Sequence, residues 1–363
     1  MAKTYDASLI GKKLSVVDEI LLLNPYQTPL INLCGFGAPV TQTTHQWFED
    51  ELFGDKSTVA GAKLSTDTTV VVVDAEPFRA GHVIKIGDEL LYVSAVDTGT
   101  KTLTVTRGYA STTPAAIADG AKVEVQFVEG VEGADARAAR YKSRTPHQNY
   151  TQIFDDTVEV SGTAEAVQQY GITDLYENEK QKKQLELALQ LEKALIGGVA
   201  YNNGQVRQMA GIRSLVQTNV TDAASAAISG TLINDSLQSI FEHGGFQTGG
   251  DYHIQVSPKQ KRAISNFDDN KLFVTRADNA RGQKVDMFVS DFGQFPIYLN
   301  INLDSDEAII CDCNRMSIRP LVGRDFFHKY LGEKGDSTNG ILVGEYTLEL
   351  EQEKAFARIK NLA

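Results

Sequence analysis

Long apolar runs are missing from this chain. No stretch approaches the roughly 18–20 uninterrupted apolar residues that a membrane-crossing helix needs. The first residues, MAKTYDASLIGKK, also lack the apolar segment and small-residue cleavage site of a secretory signal, so synthesis and residence in a cytoplasm are expected. Cysteine is scarce: Cys34, Cys311 and Cys313 are too few, and odd in number, for a disulfide framework. Cys311 and Cys313 lie in AIICDCN, where strand alternation would point both sulfurs to one face. Further ligands at zinc-like spacing are lacking, so buried small side chains are the expected role. Positive charge is in deficit, with 35 Lys and Arg against 47 Asp and Glu, for a net charge of −12. That balance disfavours a dedicated nucleic-acid binder, which needs a basic stripe, but not a protein that sits beside nucleic acid without gripping it.

Catalytic signatures are absent too. There is no GxSxG, HExxH, GxxxxGK[ST] or GxGxxG. The GFG run at Gly35–Gly37 has no third glycine. Asp304-Ser305-Asp306-Glu307 lacks the alternating ligands and the glycine of a calcium loop and reads as a solvated turn. His243 and His253 have no Cys, Ser or second His at a telling spacing and read as structural. Asp155 and Asp156 are adjacent in a strand-like run, so their carboxylates point to opposite faces. No catalytic, cofactor-binding or metal-ligating residue is therefore nominated, and no cofactor is expected.

What is present is a folded-protein composition: 363 residues, 42% hydrophobic and 23% charged, with room for two or three domains. The most regular stretch is Asp174–Ile196, DLYENEKQKKQLELALQLEKALI. Asp174 can cap a helix, with Glu177 three residues on as its capping-box partner, and Gly197-Gly198 supplies the stop. About 22 residues at 1.5 Å each make a rod of roughly 33 Å. Leu187, Leu191, Ala194 and Leu195 form its core stripe, while Glu179 and Lys183 sit at a favourable i, i+4 spacing on the other side. Between Tyr176 and Leu185 there is no apolar residue, so the first half is weakly anchored.

In chain order, residues 1–40 read as an extended arm, with a short apolar helix at Val16–Leu23 followed by Asn24-Pro25 and Thr28-Pro29, which turn the backbone away from helix. Residues 41–64 contain the polar strand-like run TQTTHQWFEDEL. A second polar extended run, Arg140–Val160, follows much later, and from pattern alone the two read equally as a protruding two-stranded arm or as two unrelated edge strands. Between them, Val70–Val73, His82–Ile86, Glu89–Val93, Leu103–Arg107 and Val123–Phe127 are short β-rich runs punctuated by turns, sufficient for a small barrel or sandwich inserted into a host domain. Beyond the long helix, Thr231–His243 is helical, with Ile233, Leu237, Ile240 and Phe241 on one face. Tyr252–Val256 is a strand, and Ser257-Pro258 with Gln260 starts another helix. Val285–Val289, Pro296–Ile301 and Ala308–Cys313 are further strands. The C-terminus reads as a hairpin of Leu342–Leu350 and Ala355–Lys360 around a turn at residues 351–354, with Leu342, Tyr346, Leu348 and Leu350 on one face. The mixture of helices and strands without a βαβ rhythm makes the host α+β.

Several of these stretches carry a resemblance. They are the arm with Asn24-Pro25 and Thr28-Pro29-Leu30, then TQIFDDTVEVSGTAEAVQQYGITD leading into the long helix, then HIQVSPKQKRAIS followed by VDMFVSDFGQFPIYLN, and finally GEKGDSTNGILVGEYTLELEQEKAFARI. In this order they resemble the major capsid proteins of tailed bacteriophages, in particular the family typified by the phage SU-ten capsid protein. The resemblance implies the Hong Kong 97-like capsid fold, an α+β architecture, here with an inserted small all-β domain. It implies an N-terminal arm at 1–40 and an extended loop at 41–64 and 129–160, with the inserted β-domain at 65–128. A peripheral domain would comprise 161–214 and 316–363 with a spine helix at 174–196, and an axial domain 215–315. The implied function is self-assembly into hexamers and pentamers of an icosahedral head around double-stranded DNA, located in the virion and assembled in the bacterial host cytoplasm. The implied partners are further copies of the chain and the packaged DNA, without sequence-specific binding and with no membrane. Separate scaffolding, portal and decoration proteins are further expected partners. Leu21, Leu22, Leu23, Trp47, Phe48, Tyr141 and Arg144 are the expected subunit-interface residues. The alternatives are an encapsulin-like compartment of the same fold and, in a different class, a soluble enzyme or ligand-binding protein with a β-module.

Overall fold

The computed structural model describes residues 28–130, 132–133, 135–137, 139–167, 174–246, 250–266 and 287–363. The expected helix at Val16–Leu23 and the prolyl turn at Asn24-Pro25 lie outside them. The chain divides into two compact units. One comprises residues 1–47 and 146–363, the other Phe48–Thr145.

The chain enters through helix α1 (Pro29–Cys34) and strand β1 (Thr44–Glu49). The second unit follows with β2 (Lys56–Thr58), β3 (Thr69–Val71), β4 (His82–Ile86), β5 (Glu89–Asp97), β6 (Thr102–Thr106) and β7 (Lys122–Val128). The return strand β8 (Thr145–Tyr150) pairs with β1. Then come β9 (Gln152–Ser161), α2 (Gly162–Ala166), α3 (Leu175–Gly197), β10 (Tyr201–Asn202), β11 (Arg207–Gln208), α4 (Ile212–Leu215), β12 (Val220–Asp222) and α5 (Gly230–Glu242). The chain closes with β13 (Tyr252–Val256), α6 (Pro258–Ser265), β14 (Met287–Ser290), β15 (Gly293–Leu299), β16 (Ala308–Asp312), β17 (Met316–Pro320), β18 (Phe327–Glu333), β19 (Ser337–Leu350) and β20 (Ala357–Lys360).

In the second unit the strands run in the order β2-β7-β4-β5-β6-β3. The Val59–Val72 bridge joins the two ends, so the sheet closes into a six-stranded barrel. Inward alternation fills it with Val70, Ile84, Leu91, Val93, Leu103 and Val123. One buried ion pair ties its loops. Arg107 donates to both oxygens of Glu89 at 2.8 and 2.7 Å and to the carbonyls of Leu64 and Asp67, while Glu89 also accepts the N–H groups of Gly108 and Ala115. Burial alone would raise the Glu89 carboxyl. The hydrogen bonds from Arg107 and the two backbone donors outweigh it and hold the group below the usual carboxylate range.

In the first unit, β19 is the axis of one sheet. β9 runs along one of its edges, and β17 and β18 share the other. The helix α3 begins as its sequence predicts, with Asp174 Oδ1 accepting from the Glu177 N–H at 3.0 Å. Its surface pairs differ from the predicted Glu179–Lys183 contact. Glu177 bonds Lys180, Glu179 bonds Lys182, and Lys183 reaches Glu186 and, across to β9, Asp156 at 3.1 Å. Leu187, Leu191, Leu195 and Ile196 pack with Phe154, Val158 and Val160 of β9 and with Leu342, Tyr346, Leu348 and Leu350 of β19. The weakly apolar first half is held by Tyr176, whose hydroxyl lies 2.7 Å from His328 Nε2. Gly340 permits this approach, because a Cβ there would overlap both the Tyr176 hydroxyl and the His328 ring.

The second sheet of this unit has the order β12-β20-β16-β13-β15-β14. The helices α5 and α6 cover it through Ile233, Leu237, Ile240 and Ile264. Phe241, expected on that buried face, is instead 45% exposed against Phe292. Ser257 stands at the N-cap of α6 with Pro258 at the first position, as expected, but its side chain makes no cap bond. Its hydroxyl and the Gln260 amide both donate to the Ser305 carbonyl. The C-terminal hairpin is not formed either. β19 and β20 belong to different sheets, and residues 351–356 carry the chain from one core to the other.

Candidate assembly surface and arm root

Helix α1 is held at both ends. At its start, Glu192 of α3 accepts the N–H groups of Leu30 at 2.9 Å and Ile31 at 3.0 Å, so a carboxylate satisfies two of the orphan donors that begin any helix. Glu192 is fully buried and also accepts from Asn300 Nδ2 at 3.1 Å. Burial raises its pKa, opposed by the three hydrogen bonds. At the other end of α1, Cys34 forms a disulfide with Cys313. The two clamps meet through a buried polar seam. Asn300 donates to Gln255, Gln255 touches His253 at 3.1 Å, and His253 Nδ1 lies 3.8 Å from Cys313 Sγ. Burial lowers the pKa of His253 and keeps its ring neutral.

The cysteine expectation is thereby corrected. β16 ends at Asp312, and Cys313 begins a 3-10 turn, so Cys311 and Cys313 do not share a strand face. Cys311 is buried in the core as a free thiol, whereas Cys313 turns out to meet Cys34. The acidic run 304–307 is a turn with Asp304 and Ser305 exposed, as expected, and only its last residue departs from that reading. Glu307 is buried and bonds Arg213 and Arg358, and Asp304 bonds Arg213 at 2.6 Å. Among the described residues no cluster of His, Cys, Asp or Glu is arranged to hold a metal ion. No described helix is long and apolar enough to cross a membrane.

The residues expected at subunit interfaces are placed as follows. Leu21, Leu22 and Leu23 lie outside the described residues. Trp47 and Phe48 are neighbours on β1, so they point to opposite faces. Trp47 is the covered one, 8% exposed and stacked on His147 with ring centroids 6.0 Å apart. Phe48 is 67% exposed and Tyr141 82% exposed. Both line an open cavity of about 450 Å³ with Asp50, Lys142, Ser143 and Arg144. Arg144 Nε lies 3.5 Å from Asp50, a solvent-exposed pair that adds little stability. Lys142 bonds Glu51 at 3.2 Å and Glu76 at 3.6 Å. The cavity residues are thus exposed aromatics rimmed by charge, an arrangement suited to binding a protein surface.

Residues 3–363 match the family model described as SU10 major capsid protein. The chain belongs to that family. Its fold is that of solved capsids. The capsid of a native GTA particle superposes with a TM-score of 0.58 at 9% identity, with 100% of both chains covered. The cyanophage A-1(L) capsid gives a TM-score of 0.56 at 10% identity, with 97% of both chains covered. No curated protein matches the chain in sequence. As a member of this family the chain is a structural capsid protein of α+β Hong Kong 97-like fold that self-assembles into a multimeric capsid.

Proposed function

We propose that the chain is the building block of an icosahedral phage head, assembling as hexamers and pentamers around double-stranded DNA after synthesis in the bacterial host. The observation that carries this reading is the pair of exposed aromatics, Phe48 and Tyr141, that line one open cavity. Large exposed aromatics in an open cavity lose water-exposed area only when another surface covers them. A second subunit is the surface a shell provides, and many modest contacts closed by symmetry make it stable. Trp47 stiffens the ribbon of β1 and β8 from within, and Leu21–Leu23 act in the arm. In this reading residues 1–40 are the arm, 41–64 and 129–160 the extended loop, and 65–128 the inserted domain. Residues 161–214 and 316–363 form the peripheral domain, and 215–315 the axial domain.

The net charge of −12 fits a shell that encloses DNA without holding it, since a strongly basic lining would grip the phosphates. Scaffolding, portal and decoration proteins complete the partner set. Deleting residues 1–30 tests the reading, because it removes the arm and the first two residues of α1. Soluble capsomers or monomers without shells are expected. Normal shells from the deletion would remove the arm from the account.

A further inference from the structure

Within Phe48–Thr145, the corner that leads into β4 gathers positive charge that Glu76, acting on Arg140, offsets only in part. The backbone is tightly fixed there. His82 N–H donates to the Arg79 carbonyl at 3.2 Å, Gly81 N–H to Val93 at 2.8 Å, and Glu129 N–H to the Gly81 carbonyl at 2.8 Å. Gly81 has a φ of +89°, which favours glycine, and the Arg137 guanidinium lies close by, its Nη2 3.6 Å from where a Cβ would stand. Arg140 comes from the same return segment. Its Nη1 donates to the Pro77 carbonyl at 3.0 Å, and its Cζ stands 4.1 Å from the centre of the Phe53 ring.

Two features mark the cluster as incomplete. First, among the described residues neither Arg79 nor Arg137 has a hydrogen-bond or ion-pair partner, and Arg79 Nε and His82 Nδ1 are buried without one. The His82 side chain is 5% exposed. Second, the charges repel one another. Burial and then Arg140, Arg79 and Arg137 hold the His82 pKa down to about 4, and burial together with Arg79 lowers that of Arg140. The nearest carboxylates are engaged elsewhere, Glu76 with Lys142 and Glu129 with the Tyr92 hydroxyl. Like charges held together cost free energy, and an oxyanion at the accessible guanidinium groups would offset that repulsion.

We propose that Arg79 and Arg137, with Arg140 and the buried His82 alongside, form a receptor for a carboxylate presented by a second copy of this chain. The proposal rests on the shell-assembly reading. The occupant follows from charge and geometry. A chain with 47 acidic against 35 basic side chains offers mostly carboxylates to its neighbours. The guanidinium fork matches a carboxylate's two oxygens, and His82, buried beside the arginines, senses the charge without touching it.

The test uses the full chain, carbon-13-labelled at histidine, in chloride buffer, as unassembled subunits and as shells, with His82 identified by the signal lost in H82Q. In subunits His82 titrates near 4. In shells its pKa rises by about one unit or more, because a bound carboxylate offsets the guanidinium charges. The R79Q/R137Q variant raises the subunit value, abolishes the shift on assembly and raises the concentration needed for assembly at least about tenfold. R79K/R137K keeps the charge and most of the assembly, which separates loss of the anion site from loss of folding. An identical His82 pKa in shells and subunits, or R79Q/R137Q assembling at the wild-type concentration, overturns the proposal. If sulfate or phosphate moves His82 in subunits while assembly does not, the cluster takes an adventitious ion only, and the proposal falls. Shells with an unmoved His82 overturn this inference alone, whereas failure to form shells under every condition overturns the assembly reading with it.

Discussion

Glu192 receives the backbone N–H of Leu30 from 162 residues earlier in the chain, so a carboxylate near the C-terminal end of the long helix α3 starts the short helix α1. Removing the carboxylate strands the Leu30 and Ile31 N–H groups and leaves the Asn300 amide with Gln255 as its remaining acceptor. Unsatisfied buried donors cost about 1–3 kcal/mol each, so E192A should lose at least about 2 kcal/mol of stability, measured by denaturant unfolding. Stability within about 1 kcal/mol of wild type would mean that α1 does not depend on the clamp.

Glu192 and Glu89 predict opposite responses to acid. The Glu192 pKa is raised in the folded chain, so its contribution is full below the unfolded carboxylate value, about 4.3, and is lost as pH rises through the higher folded value. The Glu89 pKa is lowered, so its contribution is present above about 4.3 and is lost as pH falls through the folded value. Hydrogen exchange at pH 3.5 and pH 7 should therefore show the barrel weakening in acid while the α1 amides gain protection. E192Q should abolish the second effect only.

The disulfide joins residues separated by 279 positions. Closing so long a loop restricts the unfolded chain, typically by about 2–4 kcal/mol. Reduction, or C313S, should lower the melting temperature by several degrees. Alkylation of the unfolded, unreduced chain should label only Cys311, whose thiol is buried and pushed above its ordinary range in the native protein. Three labelled thiols without reductant would show the bond to be absent.

The Arg107–Glu89 pair joins three loops of the barrel, so its loss is local in position but large in effect. R107A leaves a buried carboxylate without its cation and should destabilise the second unit by about 3–5 kcal/mol, read from a separate unfolding transition of residues 48–145.

Periodicity exposed the parts of this fold that are regular over several turns. The α3 stripe, the Asp174 cap, the alternation of the β-insert and the buried face at Leu342, Tyr346, Leu348 and Leu350 all follow from spacing within one element. What stayed hidden depends on contacts between distant elements. Glu192 sits beside Leu191 in a run that reads as a charged edge, and only the N-terminus of α1 explains its burial. Glu307 belongs to an acidic tetrapeptide, and only Arg213 and Arg358 turn it inward. Cys34 and Cys313 have no local signal of pairing. The hairpin expectation failed because two strand-like runs a few residues apart look paired locally, while the strand after residues 351–354 joins another sheet. For the interface residues, alternation says that Trp47 and Phe48 face opposite ways, but not which of them meets solvent.

The central claim is that this chain builds a closed shell. Negative-stain electron microscopy with sedimentation of the full-length protein tests it most directly, first alone and then co-expressed with the genes that flank it. Uniform shells or capsomer rings are the predicted result. A monodisperse monomer under both conditions would contradict it.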